Sequence, residues 1–236
     1  MTQESRIKKF MLYGRRKGHP LHKHKQVLME TLFAKMRIDR DLPDVIDIHK
    51  IFYDEDEKKY DKHDVYLEIG FGGGEHLAAV AKENPDINFI GCEPFVNGVA
   101  SLVEHIETHQ LSNIRIYDHD ARLFLEALPA ASIARAYVLF ADPWPKARHH
   151  KRRIINHETL AELHRILESG AQLRIASDDP SYLEWIEEHL AETPHFTPLA
   201  GHDVNVQPGD WPRTRYQEKA VREGRACKFF IMIRNV

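Results

Sequence analysis

Val65-Tyr-Leu-Glu-Ile-Gly-Phe-Gly-Gly-Gly-Glu75 decides the fold. Val65–Ile69 reads as a short strand rich in apolar and β-branched side chains. The glycines at 70, 72, 73 and 74 let the backbone turn sharply and pass close to a ligand. Glu75–Lys82 then reads as a helix stopped by Asn84-Pro85. The pattern repeats downstream. Strands are expected at Asn88–Glu93, Asn113–Tyr117, Ala134–Phe140, Ala171–Ala176 and Cys227–Ile233. Helices are expected at Val96–Thr108, Arg122–Leu128, Asn156–Glu168 and Ser181–Ala191. Strands alternating with helices of this size build right-handed β-α-β units, so the class is α/β with a mostly parallel sheet. Its ligand belongs at the carboxyl ends of the strands, where the strand order reverses.

Working outward, residues 26–40 have apolar positions at helical spacing and read as one helix. Residues 1–25 are basic and weakly periodic and read as a flexible arm, with one α/β domain filling 26–236. Residues 54–64 read as a charged connector, and His195 to Arg225 as an irregular or functional loop. The net charge of −3 hides a block structure: residues 1–40 carry eleven Lys and Arg against three Asp and Glu. A second basic run, Lys146-Ala-Arg-His-His-Lys-Arg-Arg153, lies mid-chain. Such blocks suit a polyanionic partner, although a solvated basic tail is the plainer reading of the first one. Cys92 and Cys227 lack a C-x-x-C partner and read as reduced core thiols, and the sixteen histidines show no metal-ligand spacing. With no apolar leader and no run of membrane-spanning length, the expectation is a cytoplasmic protein with neither metal nor membrane contact. Monomer and homodimer both remain open.

Three strand ends carry the chemistry. The first is the glycine turn. A dehydrogenase fingerprint, G-x-G-x-x-G, fails here because its last position is Glu75, and an acid at a helix start repels a pyrophosphate. A sulfonium ligand without phosphate is compatible. Glu93 ends the second strand, about 20 residues after the glycines, where an acid typically receives two ribose hydroxyls. Asp120, followed by Ala121, comes after the third strand and could bond an adenine edge or simply cap the next helix. Phe140-Ala-Asp-Pro-Trp-Pro-Lys146 ends the fourth strand: its prolines fix a turn, and Asp142 beside Trp144 suits a planar base that both stacks and hydrogen-bonds. The basic run follows at once and puts phosphate-binding charge next to that turn.

These elements together resemble a family. Glu-Ile-Gly-x-Gly-x-Gly from Glu68, Asp142-Pro-Trp-Pro-Lys146 with Arg148-His-His-Lys-Arg-Arg153, Ala176-Ser-Asp-Asp179 and Thr214-Arg-Tyr216 look like bacterial tRNA (guanine-N7)-methyltransferase. The resemblance implies a Rossmann-like class I methyltransferase fold with a final antiparallel strand, S-adenosylmethionine as donor and a guanine of the tRNA variable loop as substrate. It assigns Glu68, Glu93, Asp120 and Asp142 to the donor, with Gly70 and Gly72 of the turn and Ala121 beside Asp120. Asp142 would also be the catalytic acidic residue. Lys146, Asp178, Thr214, Arg215, Tyr216 and Gln217 would contact the substrate, and Arg148, Lys151, Arg152 and Arg153 the RNA. The family's last element reads T-x-x-E, whereas this chain has Gln217 then Glu218, and either could fill that role. Rival readings are an exocyclic-amine methyltransferase, whose D/N-P-P-aromatic motif is a near relative of D-P-W-P, and a non-catalytic RNA-binding module. The latter would not explain acidic residues at successive strand ends.

Overall fold

The computed structural model describes residues 13–52 and 64–236. Residues 1–12 of the basic arm and 54–63 of the charged connector lie outside the described residues. The glycine turn indeed joins strand β1 (Val65–Ile69) to helix α3 (Glu75–Glu83). Two short helices precede it, α1 (Lys23–Glu30) and α2 (Leu32–Met36). There follow β2 (Asn88–Cys92), α4 (Val96–His109), β3 (Ile114–Tyr117), α5 (Ala121–Ala127) and β4 (Ile133–Leu139). A 3-10 turn (Ala147–Arg152) leads to α6 (His157–Ile166), β5 (Leu167–Ser177) and α7 (Pro180–Glu192). The chain closes with β6 (Phe196–Pro198), α8 (Arg215–Arg222) and β7 (Lys228–Arg234).

The seven strands form one sheet in the order β3-β2-β1-β4-β5-β7-β6. β1 to β5 pair in parallel, and β7 runs antiparallel to both β5 and β6. Parallel strands bury both faces, and β4 shows it residue by residue. Ala136 and Val138 join a core with Phe124, Leu160 and Ile186 of α5, α6 and α7. Tyr137 and Leu139 point to the other face, against Trp211 and Phe229. The rest of that second face is covered by α3 and α4, through Leu77, Leu102, Val103 and Ile106. The order reverses between β1 and β4. Two successive carboxyl ends therefore diverge there and leave a crevice.

Three expectations need correction. Residues 26–40 do not form one helix. Thr31 turns its hydroxyl back onto the Val27 carbonyl at 2.8 Å and interrupts the coil, and after Met36 the chain is extended. Ile38 N–H then donates to the Ile116 carbonyl at 2.8 Å, so this stretch borders β3. Helix α6 ends at Ile166 and not at Glu168. Leu167 already pairs with Ile133, and a register shift before Arg135–Gln172 absorbs the residues around Gly170. The stretch from His195 to Arg225 is not wholly irregular. It holds β6 and the eight-residue helix α8, whose start is fixed by the Thr214 hydroxyl accepting from Gln217 N–H at 3.0 Å.

Candidate active site

A cavity of about 390 Å³ opens at the β1/β4 crevice, within the size range of small-molecule sites. Each neighbouring strand end contributes to it. Gly70 and Gly72 adopt φ of 74° and 57°, which L side chains rarely tolerate. A Cβ on Gly70 would meet nothing within 4 Å, so its backbone borders open space. A Cβ on Gly98 of α4 would sit 2.1 Å from the Gly72 carbonyl, so α4 packs directly on the glycine turn. These glycines bring two elements together around a ligand-sized void.

Glu93, buried at the end of β2, faces that void. Its carboxylate accepts from Gly72 N–H and Phe95 N–H, both at 2.9 Å. Burial nevertheless raises its pKa to about 7, with smaller upward pushes from the charges of Asp142 and Glu68. Each oxygen already accepts one backbone N–H and retains a further lone pair, which fits a pair of hydroxyl donors. Asp120 is the N-cap of α5 and accepts from Arg122 N–H at 3.0 Å and from the Arg122 guanidinium at 2.9 and 2.6 Å. Asp120 thus caps the helix and, with Ala121, also lines the cavity.

Asp142 and Trp144 line the opposite wall. The turn that carries them is strained: Phe140 and Trp144 have φ of 52° and 46°. Among the described residues the Asp142 carboxylate has no ion-pair or hydrogen-bond partner. Although the residue is exposed, partial desolvation of the carboxylate at the cavity raises its pKa above the ordinary carboxylate value. Arg152 packs its guanidinium 5.0 Å from the Trp144 ring and also lines the cavity. Tyr216, at the start of α8, comes within 3.1 Å of where a Gly72 Cβ would be. The late Thr214 element therefore reaches the glycine turn.

Other expected site residues lie elsewhere. Arg153 is only 1% exposed. Its guanidinium donates to the Pro143 carbonyl at 2.8 Å, the Ser181 carbonyl at 3.2 Å and the Ser181 hydroxyl at 2.8 Å. It braces the Asp-Pro-Trp-Pro turn against α7 and is not placed to meet a phosphate, which corrects that expectation. Lys146, Arg148 and Lys151 are exposed on the 3-10 turn outside the cavity. Glu68 is buried beneath the glycine turn, its Oε2 2.7 Å from His76 Nδ1. Asp178 pairs with Arg225 at 2.7 Å. Arg215 is exposed, 3.7 Å from Glu75. Gln217 is buried and its amide donates to Gln207 at 2.7 Å, while Glu218 is exposed. Sequence reasoning did not anticipate Tyr13, Gly14 and Arg15, which form part of the cavity wall. Nothing in the periodicity of a basic arm signals such docking.

Among the described residues no group of three or more His, Cys, Asp or Glu is placed to hold a metal ion, and no helix is long and apolar enough to cross a membrane.

Comparisons with known proteins agree with this geometry. Residues 62–230 match the family described as "Putative methyltransferase". The chain is 46% identical to the tRNA (guanine-N(7)-)-methyltransferase of Paramagnetospirillum magneticum, over 93% of this chain and 90% of that protein. With the enzyme of the same name from Agrobacterium fabrum it shares 40% identity over 99% and 100% of the two chains. The fold is similar to that of the 16S rRNA methyltransferase KamB, with a TM-score of 0.51 at 18% identity over 73% of this chain and 88% of that one. It is also similar to an rRNA methylase from Streptococcus thermophilus, with a TM-score of 0.51 at 12% identity over 93% and 98%. Fold, cavity and near full-length identity converge: this chain belongs to the tRNA (guanine-N(7)-)-methyltransferase family.

Proposed function

We propose that the β1/β4 cavity binds S-adenosylmethionine and that the protein methylates N7 of a guanine in the tRNA variable loop. One observation carries the reading: the partnerless Asp142 carboxylate shares a cavity with Glu93 and with Trp144. The residues fit this donor. Glu93 suits ribose hydroxyls, the Gly70 backbone leaves room, and the acidic Glu75 opens α3, which suits a ligand without phosphate there.

When bound, the donor supplies an electrophilic methyl carbon on a sulfonium. Guanine N7 has an in-plane lone pair and no proton, so attack forms the N7–carbon bond as the carbon–sulfur bond breaks, and no base is needed to create the nucleophile. Alignment of the two reactants supplies much of the rate. Trp144 offers a flat face for the base, and Asp142 can accept from its N1–H and amino groups. Positive charge appears on the guanine ring as the reaction proceeds. A preorganised carboxylate in a partly desolvated site stabilises that charge at no reorganisation cost. Exposed Lys146, Arg148 and Lys151 directly follow the Asp-Pro-Trp-Pro turn in the chain and would hold the RNA backbone. Incubating the protein with donor and unmodified tRNA, then digesting to nucleosides for mass spectrometry, tests this reading. 7-Methylguanosine is expected, and a methylated exocyclic amine in its place would refute it.

A further inference from the structure

We propose that Asn97 is a latch that holds residues 13–19 across the donor cavity, and that it thereby controls how fast the donor leaves. The proposal rests on the reading of that cavity as the donor site. Asn97 is the second residue of α4. Its side-chain amide accepts from Gly18 N–H at 2.6 Å and donates to the His19 carbonyl at 2.8 Å. A single side chain thus satisfies both a backbone N–H and a backbone carbonyl of the strap.

The helix gains from the same contact. Phe95, the N-cap of α4, provides no side-chain cap. First-turn N–H groups need external acceptors, and the Arg16 carbonyl supplies one to Val96 N–H at 2.9 Å. The strap therefore completes the start of α4. Gly18 is required for this fit. A Cβ there would lie 2.9 Å from Asn97 Oδ1 and 3.1 Å from the Phe95 ring, tighter than ordinary contact.

At its other end the strap reaches the opposite lip. The Arg152 guanidinium sits 4.0 Å from the Tyr13 ring, and Tyr13 meets Trp144 edge-on at 6.4 Å. Tyr13, Gly14 and Arg15 line the cavity between these anchors. The strap thus bridges α4 and the Asp-Pro-Trp-Pro turn. The turn that receives it, Glu93 to Asn97, also holds the Glu93 carboxylate through Phe95 N–H. Strap and donor are bound by two sides of one turn, so a ligand on Glu93 and a docked strap reinforce each other. Asn97 itself does not line the cavity and acts through the strap as a positioning residue.

The test is the dissociation rate of labelled S-adenosylmethionine chased with unlabelled donor, on the full chain. Asn97→Ala should release donor about tenfold faster, the scale of losing two net hydrogen bonds, and should raise the donor KM while kcat falls much less. Asn97→Asp keeps the acceptor, loses the donor and should lie between. Gly18→Ala disturbs the latch from the strap side and should reproduce the effect, which keeps the test valid if the helix variant folds poorly. Trypsin should cut faster after Arg15, Arg16 and Lys17 in both variants. Unchanged donor dissociation in folded Asn97→Ala and Gly18→Ala would overturn the proposal, as would a loss confined to tRNA affinity. If calorimetry shows that the wild type binds no donor at all, the assignment of the cavity fails and the latch with it.

Discussion

Glu93 shows what burial beside a cavity does to one carboxylate. Burial works against its charge, and two backbone N–H groups only partly offset this, leaving a pKa raised from an ordinary 4.5 to about 7. A raised carboxyl pKa means that the folded chain holds this proton where the unfolded chain has lost it. Stability from this group therefore declines as pH rises from about 4.5 to about 7 and is level above that. Donor binding has the opposite slope, since the ionised carboxylate is the better acceptor. Calorimetry from pH 6 to 8 should show donor affinity tightening with pH in the wild type. Glu93→Gln should flatten that profile and weaken binding by about 1–3 kcal/mol at high pH. An unchanged profile in Glu93→Gln would take Glu93 out of the site. Asp142 is the complementary case, because its carboxylate has no protein partner among the described residues and is free for substrate. Asp142→Asn should keep the melting temperature and lower the single-turnover methyl-transfer rate by about 10²–10³. Both acids were legible in the sequence because each ends a strand. Arg153 was not, since an arginine in a basic run gives no sign that Ser181, 28 residues on, will bury it.

At the scale of elements, the basic run and the residues just after it present two faces. Arg153 and Asn156 point inward, and Asn156 caps α6 by accepting from Thr159 N–H at 2.9 Å. Lys146, Arg148 and Lys151 point outward. Replacing Arg153 with Ala leaves the Pro143 and Ser181 oxygens without their charged partner inside the fold. Chemical denaturation should show a loss of about 1.5–3 kcal/mol, the scale of hydrogen bonds to a charged donor. Replacing Lys146, Arg148 and Lys151 with Ala should leave stability nearly unchanged. It should weaken tRNA binding and flatten the log–log salt slope by roughly 0.7–0.9 per lost contact. Equal salt slopes in that triple variant and the wild type would make the run a solvated loop. Most strands and helices were legible from period and punctuation. The exceptions share a cause. The stretch from Arg37 onward borders β3, Leu167 pairs with Ile133, and α8 sets Tyr216 against the glycine turn at Gly72, so partners remote in sequence set each of them.

Over the whole molecule, topology explains why the parts meet. β1 and β4 are far apart in sequence yet adjacent in the sheet, so the glycine turn and the Asp-Pro-Trp-Pro turn face each other across the order reversal. α8 and the strap arrive from the two ends of the chain and close over the same opening. The sheet was foreseen by alternation of strands and helices, whereas the strap could not be. Its docking depends on one asparagine matching two backbone groups almost 80 residues away. The central claim is methyl transfer to guanine N7 of tRNA in this cavity. Borohydride reduction and aniline cleavage of unmodified tRNA treated with protein and donor tests it most directly, because the strand breaks only at 7-methylguanosine. A single cut in the variable loop with wild-type protein, greatly reduced with Asp142→Asn, is the predicted result. An uncut tRNA that has nevertheless incorporated labelled methyl, or equal cutting by Asp142→Asn, would contradict it.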